Sequence, residues 1–205
     1  MIIDMHMHEM RYSGDSFLRL ENMVEIAKRR GLDGICITDH DSMGLKEFAA
    51  EYSEKTGFPI FVGIEFYSLQ GDIVAFGIED YPKERIPAQE FVDLVQAQGG
   101  MCFSAHPFRN NNRGLEENLK IVKGLDGIEV LNGSTLYEAN RKAAEYAAEL
   151  GLATVGSSDC HVPEKLGLYA TYFPREIRSV QELIRSVKRC EIIFLNYSKK
   201  YNFDR

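Results

Sequence analysis

Short apolar runs and longer amphipathic stretches alternate along the chain, and glycines mark most of the changes between them. Residues 2–8, 34–38 and 60–64 have strand length and strand composition. Between them, residues 16–30 and 43–56 carry apolar positions at helical spacing and stop at Gly31 and Gly57, where a left-handed residue ends a helix most easily. A turn at Gln70-Gly71 is expected to fold residues 66–69 against 73–77. A helix over 87–98 follows, with Pro87 in its first turn, then a strand at 101–105, a short helix at 115–123 and a strand at 127–131. A long helix over 135–150 ends at Gly151, and 153–157 and 169–173 are further strands. Ser179-Val-Gln-Glu182 is a capping box that opens the last helix, before a strand at 192–195. Strands alternating with helices imply parallel pairing through crossovers, and this many units favour a closed or nearly closed barrel. With no linker, repeat or low-complexity tract, residues 1–205 read as one α/β domain.

The chemistry lies where strands give way to loops, the usual functional end of an α/β barrel. All five histidines fall there. Asp4-Met5-His6-Met7-His8 ends the first strand, Thr38-Asp39-His40-Asp41 the second, Ala105-His106-Pro107 a middle one and Ser158-Asp159-Cys160-His161 a later one. Glu65 ends the third. Side chains alternate along a strand, so Asp4, His6 and His8 share the face aimed into the mouth, while Ile3, Met5 and Met7 are expected to pack on helices. Imidazoles and carboxylates in this mixture suit zinc, manganese or iron. Any one of these histidines alone reads as a core residue; the joint placement reads as a metal site. Asp4 and Asp39 are expected to orient histidines, and Glu9, Asp41 and Asp72 to be solvated loop acids.

Composition narrows the class. The chain is 205 residues long with a formal net charge of -7, which argues against broad nucleic-acid binding. Its four cysteines form no CxxC, no apolar run approaches a membrane span, and the N-terminal residues lack the pattern of a signal peptide, so a cytoplasmic protein is expected. Oligomeric state is not legible: Tyr197 and Phe203 read equally as an interface or a packed tail.

At the motifs Asp4-x-His6-x-His8, Thr38-Asp39-His40-Asp41, Gly63-x-Glu65, Ala105-His106-Pro107 and Ser158-Asp159-x-His161, the sequence resembles the PHP (polymerase and histidinol phosphatase) family, specifically its small stand-alone metal-dependent phosphoesterases. Gly127-Ile-Glu-Val-Leu-Asn132 is also similar to a segment of that family. The resemblance implies a distorted (β/α)7 barrel with two or three divalent ions, Zn, Mn or Fe, at the C-terminal ends of its strands. It implies that His6, His8, Glu65 and Asp159 hold one ion with Glu65 bridging, that His40 and His161 hold a second, and that His106 reaches a third with Glu65. Two departures stand out. Asp15 is the only counterpart of a ligand many relatives carry after the first motif, and it reads equally as a helix cap. The hairpin after Glu65, where many relatives have a histidine, reads Asp72-Ile-Val-Ala-Phe-Gly77, which leaves a third ion weakly specified.

The implied activity is hydrolysis of a phosphate ester of a small metabolite, a nucleotide or an oligonucleotide end, by attack of a metal-bridging hydroxide. Arg109, in His-Pro-Phe-Arg, is the candidate phosphate-binding fork; Arg11, Arg113 and Lys165 are weaker ones. The competing classes are an amidohydrolase-type C–N hydrolase, whose barrels also open with His-x-His, and a non-catalytic metal-binding module.

Overall fold

The computed structural model describes residues 1–195; Tyr197 and Phe203 lie outside the described residues. One sheet contains β1 (Ile2–Asp4), β2 (Gly34–Ile37), β3 (Ile60–Val62), β9 (Ala170–Tyr172) and β10 (Ile193–Leu195) in the order β10-β9-β1-β2-β3. Its β1, β2 and β3 are parallel, and β9 is antiparallel to both its neighbours. The second sheet takes β4 (Ile64–Tyr67), β5 (Asp72–Phe76), β6 (Met101–Ser104), β7 (Gly127–Asn132) and β8 (Ala153–Ser157) in chain order, antiparallel as far as β6 and parallel from there.

The mixed α/β class is as expected, but the two sheets do not form one continuous barrel ladder. Beyond their strands they meet in isolated parallel bridges, Met7 with Cys160 and His40 with Glu65, both at the loop-bearing end. Each interruption has a physical cause. The strand expected over 60–64 splits at Gly63, whose N–H still donates to Ile37 (2.8 Å). A Cβ there would lie 2.4 Å from the Ala75 carbonyl oxygen and 2.7 Å from the Phe76 ring, so glycine is what lets the chain leave β3 and enter the β4–β5 hairpin. Between β8 and β9 the Thr171 hydroxyl takes both polar groups of Gly156, accepting from its N–H (3.0 Å) and donating to its carbonyl (2.9 Å). Those groups are then lost to any β8–β9 ladder.

Among the described residues five α-helices cover the sheets: α1 (Leu20–Arg29), α2 (Lys46–Thr56), α3 (Ala88–Ala97), α4 (Tyr137–Leu150) and α5 (Val180–Lys188). α1 begins four residues later than its apolar spacing suggests. Ser16 Oγ donates to the His8 carbonyl (2.7 Å) and the Phe17 N–H to the His161 carbonyl (2.9 Å), so residues 16–19 brace the site loops instead. The helix expected over 115–123 is a 3-10 helix, Glu116–Lys120. The capping box forms in modified shape: Ser179 accepts from the Glu182 N–H, and the Glu182 carboxylate accepts from the Arg178 N–H. Among the described residues no helix is long and apolar enough to cross a membrane.

One core group lies between the second sheet, α3 and α4, where Phe66 and Phe91 stack with ring centres 4.1 Å apart. A second joins the sheets: Ile3 and Met5 pack with Val74, Phe76 and Phe103 as well as with Leu183 and Val187 of α5. Of the three apolar residues expected to face helices, Met7 groups with Leu20 and Met23 of α1, and Ile3 and Met5 with α5 as well as with the other sheet. Phe91→Ala should therefore cost about 3–5 kcal/mol. A urea unfolding midpoint equal to that of the unmodified protein would contradict this packing.

Candidate metal centre

The two bridges bring the ends of both sheets together, and every histidine of the chain arrives with them. His6 Nε2 and His8 Nε2 lie 3.0 Å apart. Glu65 Oε1 is 3.3 Å from His6 Nε2 and 2.9 Å from His106 Nε2, while Glu65 Oε2 is 2.7 Å from His40 Nδ1 and 3.6 Å from His8 Nε2. Asp159 Oδ1 stands 3.2 Å from His8 Nε2 and 3.7 Å from His6 Nε2. Donors about 2.0–2.2 Å from one tetrahedral ion are themselves about 3.3–3.6 Å apart, close to these spacings. The Glu65–His40 contact has the distance but not the geometry of a hydrogen bond, and both atoms are buried without a hydrogen-bond partner. Two such atoms held this close without a hydrogen bond form a contact that cations bound beside them would relieve. His6, His8 and Glu65 form one compact donor set, as do His6, His106 and Asp159, and also His8, His40 and His161.

Asp15 joins the third set, with Oδ2 3.2 Å from His40 Nε2 and 3.4 Å from His161 Nε2. Its alternative role is not observed, since α1 opens at Arg19. Two loop backbones are bent to present their side chains: His106 and Asp159 have φ of 27° and 49°, a region that non-glycine residues rarely occupy.

Glu129 is the main participant that the histidine pattern does not reveal, although its segment carries part of the family resemblance. It is fully buried, accepts from His6 Nδ1–H (3.2 Å) and from the His106 N–H (2.7 Å), and also bonds Asn132 and Ser157. With one proton held on Nδ1, Nε2 is the nitrogen of His6 that would give up its proton to an ion in the cluster. Ser13 does the same for His8. Its hydroxyl donates to Asp39 Oδ1 (2.8 Å), so it can only accept from His8 Nδ1–H (3.2 Å). Asp39 thus orients a histidine as expected, through Ser13. Asp4 does not; its oxygens accept from the N–H groups of Ser158 and Gly167 and tie down the β8 loop.

Two of the three loop acids also differ from expectation. Asp72 is fully buried beside His106 and paired with Arg113; Glu9 is buried and accepts from the N–H groups of Arg11 and Leu20; only Asp41 is exposed, accepting from the Tyr67 N–H. Arg109 lies at the site, but its guanidinium bonds Asp159, Asn132 and Thr135. Lys165 binds Ser134 Oγ (3.1 Å), and Arg11 lies over the Phe48 ring (4.1 Å) with Glu9 and Glu21.

The electrostatics show a shortage of positive charge. Burial would raise the Glu65 and Asp159 carboxyls, yet His6, seconded by His106 at Glu65 and by His8 and Arg109 at Asp159, holds both well below the usual carboxylate range. Burial would lower His40, but Glu65 and Asp15 raise it to about 9. His8, whose burial dominates, falls to about 4. Anions that recruit imidazoles as counter-charges in this way are equally suited to a cation.

Residues 137–192 match the PHP_C family model, described as PHP-associated. The resemblance to the PHP family holds. The uncharacterized protein MJ1587 of Methanocaldococcus jannaschii is 28% identical over 140 residues, covering 63% of this chain and 80% of the relative. Among solved structures, endonuclease Q of Pyrococcus furiosus, described as lesion-specific, aligns with a TM-score of 0.71 at 18% identity over 92% of this chain and 56% of its own. A Bifidobacterium adolescentis protein assigned as a metal-dependent phosphoesterase aligns with a TM-score of 0.67 at 20% identity, over 78% of this chain and 88% of its own. An amidohydrolase from Chromobacterium violaceum, solved with sulfate and no metal, aligns with a TM-score of 0.68 at 20% identity over 97% of this chain and 99% of its own. At these identities the structures support a shared fold.

Glu129→Gln should weaken binding of Mn²⁺ by about 10–100-fold through loss of a carboxylate behind His6. Isothermal titration beside an unchanged circular dichroism spectrum is the check; equal affinity would show that Glu129 only packs.

Proposed function

We propose that this protein is a metal-dependent phosphoesterase, hydrolysing a phosphate ester of a small metabolite, a nucleotide or an oligonucleotide end. The observation that carries this reading is the convergence of imidazole and carboxylate atoms at hydrogen-bond distance without hydrogen-bond geometry, at Glu65 and His40 above all. His6, His8, Glu65 and Asp159 would hold one divalent ion, and His40, His161 and Asp15 a second, with Zn, Mn and Fe all suited to these donors. Such ions supply Lewis acidity toward phosphate oxygens and lower the pKa of water toward neutrality.

The chain's own groups prepare for that chemistry. Glu129 and Ser13 hold the Nδ1 protons of His6 and His8, so both would present Nε2 to an ion at the centre. Arg109 sits at the rim, about one-fifth exposed, with Asn132 and Thr135 setting the plane of its guanidinium. Its Nη1 makes no hydrogen bond among the described residues, which leaves one edge of the fork for a phosphate oxygen. Ser134 links this region to the Asp159 loop, donating to the Asp159 carbonyl and accepting from Lys165.

A second reading, C–N bond hydrolysis, is favoured by the fold shared with the amidohydrolase from Chromobacterium violaceum. Against it, the ion-pair partners of Glu65 among the described residues are all histidines, so a carboxylate and not a lysine would be the bridging group. With Mn²⁺ or Zn²⁺, the protein should release nitrophenol from p-nitrophenyl phosphate or its bis ester. His6→Ala and Asp159→Ala should bring that rate to background with the fold retained, and chelation followed by Mn²⁺ should abolish and restore it. Turnover that survives both substitutions would refute the proposal, and ammonia release from amides without phosphate release would support the second reading.

A further inference from the structure

The remaining donor set, Glu65, Asp72 and His106, differs from the others in having a carboxylate, that of Asp72, with both oxygens held by one cation. Arg113 grips Asp72 with both arms of its fork, Nε to Oδ2 at 2.7 Å and Nη2 to Oδ1 at 2.9 Å. The Asp72 N–H in turn donates to the Arg113 carbonyl (2.7 Å), so the two residues are bound through backbone and side chain alike. The supporting turn is tight. A Cβ at Gly114 would lie 2.1 Å from the Pro107 carbonyl oxygen, and one at Gly71 2.6 Å from the Gly114 carbonyl carbon. The guanidinium lies over the Tyr67 ring at 4.4 Å, which further fixes its plane.

Both oxygens of Asp72 are thus neutralised by a group that cannot be deprotonated, and Asp72 Oδ2 stands 3.7 Å from His106 Nε2, beyond hydrogen-bond distance. A third ion would have to enter beside a fixed positive charge and share a carboxylate already satisfied. We infer that Arg113 takes the place of a third ion, so that the centre holds two metals and one tethered guanidinium. The Arg113 side chain is about one-third exposed, so its outer edge can meet a phosphate oxygen, as can that of Arg109 in the same loop. The substrate feature this selects is a dianionic phosphate, whose extra oxygen charge answers the second guanidinium.

This inference rests on the phosphoesterase reading for the role of phosphate, but its main test counts ions. Purified full-length protein loaded with excess Mn²⁺ and desalted should retain two equivalents by elemental analysis. Arg113→Ala frees Asp72 and should retain three, whereas Arg113→Ala combined with Asp72→Asn should return to two. Arg113→Lys keeps a charge at the position and should stay at two; it also serves if the alanine variant fails to fold. The KM for p-nitrophenyl phosphate should rise about tenfold or more in Arg113→Ala, with a smaller rise for the bis ester. Three ions in the unmodified protein, or two in a folded Arg113→Ala, would overturn the inference even if phosphatase activity is present. Two and three ions with no phosphatase activity would instead defeat the functional reading and leave the ion count standing.

Discussion

A single buried carboxylate, that of Glu65, faces four imidazoles, and much of the structure is arranged around that contact. His6, His8, His40 and His106 all place a ring nitrogen within 3.6 Å of one of its oxygens. Burying an anion is costly unless charge and hydrogen bonds replace the lost water. Imidazoles from three strand ends do so here, and Asp159, Glu129 and Asp72 add further negative charge nearby. The helices and the apolar groups between and outside the sheets hold these strand ends still while that charge is balanced.

Much of the site could be read from the chain because strand geometry is regular. His6-x-His8 at the end of an apolar run aims two rings the same way, and the five histidines do converge. Asp15 was ambiguous because one short acid before Ser16 and Phe17 looks the same as a helix cap or a ligand; the bonds of Ser16 and Phe17 to the site loops remove the helix start it would have capped. Asp72 was misread for a related reason. Its burial comes from Arg113, which lies 41 residues further on, and no local pattern encodes that pairing. Asp4 was misread too, because its partners are backbone groups of a distant loop.

The fold class was legible in the alternation of periods, but closure of the sheet was not. Barrel closure depends on ladder hydrogen bonds at two seams. At one, Gly63 permits a close approach that redirects the chain; at the other, the Thr171 hydroxyl takes the polar groups of Gly156. Both are side-chain or backbone details invisible to hydrophobic periodicity. The late start of α1 has a similar origin, since residues 16–19 have helical spacing but are engaged by His8 and His161.

The sparse seams have a mechanical consequence. His6, His8 and His40 extend strands of one sheet, whereas Glu65, His106, Asp159 and His161 belong to the other. Any ion shared between these groups is therefore a rivet between two halves that are otherwise joined by side-chain packing, two bridges and a few hydrogen bonds such as those of Thr171 and Asp4. Occupancy of the centre and cohesion of the scaffold become one equilibrium, so the protein's resistance to unfolding would track the free concentration of the ion that it uses.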